Sequence, residues 1–342
     1  SGRAHPHRSG TAHLKFSLVA VGLYGICFCE GVLAGLHGRD ICPRARRVPS
    51  KRSSLWRHRS ANGMNASPSP KWDDLGIRVG SAALLIPLVL FCDWAGGFWF
   101  HLFAFLLGSM IAYEWTKIVH ARSQLQLALH VGAAFAGISL PETFGFWHAV
   151  LAVVALALAS SLVARFGDRP ASNWSYIGVC YAGFPVIALI VLRSDSLYGT
   201  LAVLWVFVIV WAADIMAYFA GRTIGGPKLA PAISPKKTWA GLGGAVAGSA
   251  IASAVFAYFA QLEGVVILTL LAGGLAIVEQ GGDLFESALK RSFDVKDSGQ
   301  LIPGHGGVID RVDGLIAVSV AAVLIGFFRQ NGEYAAQGLL IW

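Results

Sequence analysis

Between Gly282 and Gly314 the sequence GDLFESALKRSFDVKDSGQLIPGHGGVIDRVDG gathers Asp283, Glu286, Lys290, Arg291, Asp294, Lys296, Asp297, His305, Asp310, Arg311 and Asp313. The rest of the chain is a series of apolar runs. An ionisable group near lipid costs roughly 2.5–3.5 kcal/mol on insertion scales, so a cluster held between two hydrophobic runs points to a functional site. Helical spacing after Gly282 puts Asp283, Glu286, Ser287 and Lys290 on one face. Leu284, Phe285, Ala288 and Leu289 fall on the opposite face, expected to lie against the membrane interface. Asp283 and Asp310 are oxygen donors at the two ends of the segment. A chain that folds back can bring both to one magnesium ion, which takes one or two carboxylates together with substrate phosphates and water. Gly304, Gly306 and Gly307 around His305 leave backbone amides open to an anion. Two residues keep two readings each: His305 as general base or structural hydrogen-bonding group, and Arg311 as partner of Asp310 or clamp on phosphate.

A second constellation is WAADIMAYFAGRTIGGPKLAPAISPKKTWAG, from Trp211 to Gly241. Asp214, Tyr218, Gly221 and Gly225 recur at helical spacing, which sets a carboxylate and a phenol on one face at the end of an apolar run. A buried polar contact between helices is the alternative for Asp214. The loop beyond offers Lys228, Ser234, Lys236, Lys237 and Thr238. Lysines are point charges suited to phosphate, and hydroxyls add neutral donors. A lysine pair beside a membrane can equally meet anionic headgroups or set topology. Neither GxxxxGK[ST] nor GxGxxG after a strand occurs, so neither a P-loop ATPase nor a dinucleotide fold is indicated.

The elements that must position these residues are membrane helices. In 342 residues, 55% are hydrophobic and only 13% charged, against about 25% charged in a soluble domain. Apolar segments near 77–92, 96–116, 125–140, 146–164, 175–192, 199–220, 240–260, 264–281 and 312–328 predict an all-α polytopic membrane protein of about nine spans, most near the roughly 20 residues a crossing helix needs. Lys and Arg concentrate in alternate connections, which by the positive-inside rule puts the N-terminus and both polar segments in the cytoplasm and the C-terminus outside. Gly241, Gly244, Gly248 and Ala252 recur every four or so residues, the spacing that lets helices pack closely.

The formal charge of +8 does not indicate nucleic acid. Residues 1–63 hold 11 of the 27 Lys and Arg but 2 of the 19 acids, so residues 64–342 carry 16 against 17. That basic first region is expected to be a disordered or non-native extension, with Met64 as the natural start and residues 64–342 as the membrane-embedded domain. An additional span or signal in the run Phe16 to Leu36 is the alternative. Cys27, Cys29, Cys42, Cys92 and Cys180 show no CxxC spacing and draw no zinc or disulfide framework.

Ser287, Lys290, Arg291, Lys296, Asp297, Gly299, Leu301, Pro303, His305, Gly306, Gly307, Asp310, Arg311 and Asp313 follow one another in the order and spacing of a known signature, allowing for Ile302 before Pro303. It is that of phosphatidate cytidylyltransferase, the CDP-diacylglycerol synthase family, which the chain resembles over roughly residues 75–330. The Asp214 helix and SPKKT resemble the family too. Ala240 departs from it, since many members carry Glu after SPKKTW. The resemblance implies a nucleotidyltransferase of phospholipid biosynthesis that turns CTP and phosphatidic acid into CDP-diacylglycerol and pyrophosphate. It also implies a helical bundle in the bacterial inner membrane, with a cytoplasm-facing cavity that lipid enters from the side. Magnesium with a nearby potassium is implied on Asp283 and Asp310. Asp283, Asp310, Lys290, Arg291 and Asp214 are then the expected catalytic residues. Ser234, Lys236, Lys237, Thr238, Lys296, His305, Gly306, Gly307 and Arg311 are the expected substrate contacts. The expected partners are CTP, phosphatidic acid, membrane lipid and a second copy of the chain in a homodimer, with no nucleic acid. Because the phosphate monoester dianion is itself a nucleophile, His305 is not needed as a base. The rivals are a transporter, disfavoured by charges gathered on one side, and a CTP-dependent lipid kinase, which would release CDP.

Overall fold

The computed structural model describes residues 72–120, 123–166, 172–299, 301, 306–330 and 334–342. The expected extension over residues 1–63, the start at Met64 and His305 lie outside them. Long helices dominate: α1 (Trp72–Ala95), α2 (Gly97–Val119), α3 (Gln124–Phe144), α4 (Phe146–Arg165), α5 (Ser172–Arg193), α6 (Gly199–Thr223), α7 (Trp239–Phe259), α8 (Val265–Ser292) and α9 (Ile309–Arg329), closed by the short α10 (Ala335–Leu340). Eight of them, α2 to α9, are long and apolar enough to cross a membrane. The first expected span falls on α1, whose apolar stretch Ala83–Ala95 is shorter. The chain is therefore an all-α polytopic membrane protein, with the count of nine approximate.

Leu151, Leu158, Ile251 and Leu270 are exposed on the outer surface, as lipid-facing side chains are, while Phe100, Ile111, Trp115, Trp205 and Leu268 fill the interior. Small residues and hydroxyls join the helices. A Cβ at Gly244 or Gly248 would run into Ala220 or Met216 of α6, so the expected packing role of these glycines holds. Trp205 Nε1 donates to Ser253 Oγ at 2.8 Å, and that hydroxyl donates to Leu268 O at 3.0 Å, tying α6, α7 and α8.

At 28 residues, α8 is about 42 Å long by the usual 1.5 Å rise, more than the roughly 30 Å hydrocarbon core. The span and the polar segment after Gly282 are therefore one continuous helix. Its second face departs from expectation. Leu289 is 1% exposed, and the Phe285 ring stacks on Trp115 at 6.4 Å and lies 5.5 Å from that of Tyr181. This face packs against aromatic residues of α2 and α5 rather than the membrane interface, because those rings offer a larger apolar surface at the same level.

The loop after α6 contains an antiparallel pair, β1 (Lys228–Ala230) with β2 (Ser234–Thr238), in register Lys228↔Thr238 and Ala230↔Ser234. Gly225 and Gly226, at φ of 68° and 94°, turn the chain out of α6 into it. The hairpin lies at the same end of the bundle as the α8–α9 connection, since Lys237 Nζ meets Asp283 Oδ2 there.

Candidate active site

The polar face of α8 is the floor of the site. Glu286 and Lys290, one turn apart, pair at 2.7 Å, and Lys290 Nζ also meets Asp310 Oδ1 of α9 at 2.9 Å. Lys237 enters from β2, its Nζ 2.7 Å from Asp283 Oδ2 and donating to Gln280 O at 3.2 Å. Two glycines let α8 and α9 approach here. A Cβ on Gly282 would stand 2.6 Å from Asp313 O, and one on Gly314 would stand 2.8 Å from Glu279 Cγ. With no side chain between the backbones, Asp313 reaches the face that carries Asp283.

The result is a trio of carboxylates. Asp283, Glu286 and Asp313 each present an oxygen within 4.8 Å of the others. Beside them stand Asp214 of α6 and Glu279 of α8, close enough to interact, and the Glu279 side chain is 1% exposed. Six acids (Asp214, Glu279, Asp283, Glu286, Asp310, Asp313) thus face Lys237, Lys290 and Arg311. Hard oxygen donors in excess over protein cations fit a hard divalent ion such as magnesium.

Asp310, expected to share such an ion with Asp283, stands outside the trio. Its Oδ1 is on Lys290 and its Oδ2 accepts from Ser298 N and Gly307 N, each at 3.1 Å. The amide of Gly307 therefore serves an anion of the protein itself. Gly306 turns the chain with φ +84°. Thr238 is buried, and its Oγ1 accepts from Gly241 N at 3.0 Å as the N-cap of α7. Ser234 is half-buried at the start of β2, whereas Lys236, Lys296 and Arg311 are exposed. Arg291, also exposed, donates to Ile233 O at 3.4 Å and links the end of α8 to the hairpin.

Sequence reasoning missed three groups. Glu114 of α2 is fully buried and accepts from Ser298 Oγ, Val308 N and Ile309 N at 2.8–2.9 Å. Glu279 underlies Asp214. Tyr181 of α5 buries its hydroxyl within the field of Asp313, Glu286 and Asp283. A signal existed for the two acids, because each is a lone carboxylate within an apolar run.

Comparisons with known proteins bear on this arrangement. A model of the cytidylyltransferase family matches residues 76–328. A phosphatidate cytidylyltransferase of Brucella abortus is 41% identical over 261 residues, covering 74% of this chain and 93% of that protein. One from Staphylococcus haemolyticus is 31% identical over 252 residues, covering 71% and 96%. A third, from Rickettsia bellii, is 37% identical over 191 residues, covering 53% and 80%.

Proposed function

Since the chain belongs to the cytidylyltransferase family, we propose that it transfers the cytidylyl group of CTP to phosphatidic acid, forming CDP-diacylglycerol and pyrophosphate. The observation that carries this reading is the acid-rich network at the hairpin end, where α8, α9 and β2 bring Asp283, Glu286 and Asp313 together with Lys237 and Lys290. A phosphate oxygen of phosphatidic acid attacks the α-phosphorus of CTP. The bond from that phosphorus to the bridging oxygen breaks, and pyrophosphate leaves. The nucleophile is already a dianion, so no side chain need remove a proton.

Asp283, Glu286 and Asp313 are the residues that would hold magnesium. Asp310 stands next to them, sharing Lys290 with Glu286. Magnesium, when bound, supplies positive charge opposite the developing negative charge of the leaving group. Lys237 and Lys290 hold and orient the triphosphate, with Lys236, Arg291, Lys296 and Arg311 as exposed positive charges that attract it. Asp214 and Glu279 form the acidic wall on the α6 side, where a potassium ion would also find oxygen donors. The concentration of Lys and Arg in alternate connections, the hairpin and the α8–α9 connection among them, supports a cytoplasmic site in a bacterial inner membrane. Phosphatidic acid is then drawn from the surrounding bilayer. A homodimer is the proposed assembly.

The test is product analysis. Purified protein with labelled CTP, phosphatidic acid and magnesium should yield CDP-diacylglycerol and pyrophosphate in equal amounts. CDP with a phosphorylated lipid, or no covalent change, would overturn the proposal.

A further inference from the structure

Glu114 is the sole acid of α2, and its side chain is 0% exposed. Both oxygens are engaged: Oε1 accepts from Val308 N at 2.8 Å, while Oε2 accepts from Ile309 N and Ser298 Oγ, each at 2.9 Å. The two amides belong to the first turn of α9, where N–H groups lack intrahelical partners and the helix dipole favours negative charge. From the other side, Asp310 Oδ2 accepts from Ser298 N and Gly307 N. Ser298, through its hydroxyl and its amide, and the backbone at 307–309 are therefore held between two carboxylates. One comes from the core and one belongs to the site. The chain is shaped for this grip, because a Cβ at Gly299 or Gly307 would collide with Glu114.

We infer that Glu114 is a positioning residue for cytidylyl transfer, fixing where Asp310 and, through their ion pair, Lys290 stand. The inference rests on the function proposed above. Asp310 carries the load between the two layers: Oδ2 is set by the backbone that Glu114 anchors, and Oδ1 sets the Lys290 ammonium at 2.9 Å. Glu114 itself touches no reacting atom. Its bonds go only to backbone N–H groups and to the hydroxyl of Ser298. A Gln side chain has the same shape, but it turns an NH2 donor toward one of these donors and removes the charge at the helix terminus.

The experiment compares wild type with Glu114→Gln as full chains in lipid nanodiscs. It records CDP-diacylglycerol formation per folded molecule, the KM for CTP, thermal stability, and hydrogen exchange of peptides covering 298–310. The expected result is a kcat lower by about a hundredfold, the scale of a misplaced reacting group, with KM for CTP changed little. Exchange at Ser298 and Gly307–Asp310 should be about tenfold faster while that of α6 and α7 is unchanged. Lower thermal stability with kcat per folded molecule unchanged would show a helix cap and nothing more, and would overturn the inference.

Should Glu114→Gln not fold, Ser298→Ala removes one of the three bonds. It should lower kcat about fivefold with faster local exchange. Unchanged values in both readouts would sink the idea. If wild type itself makes no CDP-diacylglycerol, the functional proposal fails separately. The exchange data then still decide whether Glu114 anchors this turn.

Discussion

At one end of the bundle Asp93 of α1, fully buried, faces Arg193 of α5 at 3.2 Å, and the same guanidinium donates to Asp93 O at 2.8 Å. At the other end six acids face Lys237, Lys290 and Arg311. One charge meets one charge in the first case, although neither Asp93 carboxylate oxygen accepts a hydrogen bond. A Cβ at Gly96 would stand 2.5 Å from Arg193 Nη2, so the joint between α1 and α2 is folded tightly around the guanidinium. In the second case the protein's own cations do not match its carboxylates. A single ion pair joins two helices, whereas a carboxylate cluster at one end fits the cation and polyphosphate of the proposed function.

The comparison breaks first at the carboxylate trio. Replacing Asp283 or Asp313 by Asn keeps shape and an oxygen donor but removes charge. Turnover per folded molecule should fall about a thousandfold, with little loss of thermal stability. A variant that keeps its rate would make the trio structural. Asp93→Asn should do the reverse. Leaving Arg193 without its partner costs about 3 kcal/mol of stability, read as a lower melting temperature, while turnover of the protein that remains folded is unchanged. A slower folded enzyme would mean that the two ends are coupled.

Lys237→Ala sharpens the contrast within the site. The side chain pairs with Asp283 and is 13% exposed. Its loss should lower kcat/KM for CTP by about 30-fold with folding intact. Normal CTP use would reduce the lysine to a charge balance for Asp283. The smallest effect belongs to Thr238→Ala, which removes the cap of α7 and should cost about 1 kcal/mol of stability without changing KM for CTP. A raised KM would make Thr238 a substrate contact as well as a cap.

These differences mark what was legible in the sequence. Hydropathy located the spans, and the helical period placed Asp283, Glu286 and Lys290 on one face of α8, because both signals are local. Pairing across the bundle is not local. Lys290 chooses Asp310 because the connection between α8 and α9 folds back, and Glu114 meets Val308 from 194 residues away. Nothing in either segment names the other. The hairpin escaped notice because strands of three and five residues, broken by Pro235, show no alternation. Thr238 had a readable cue, as a threonine immediately before a long apolar run is a common helix start.

The central claim is that the carboxylates Asp283, Glu286 and Asp313 hold a divalent cation. The most direct measurement is binding of Mn2+, a spectroscopically visible stand-in for magnesium, to purified wild type, Asp283→Asn and Asp93→Asn. Wild type and Asp93→Asn should show the same saturable site, displaced by magnesium, and Asp283→Asn should bind at least about tenfold more weakly. Equal affinity in wild type and Asp283→Asn, or no saturable site in wild type, would contradict it.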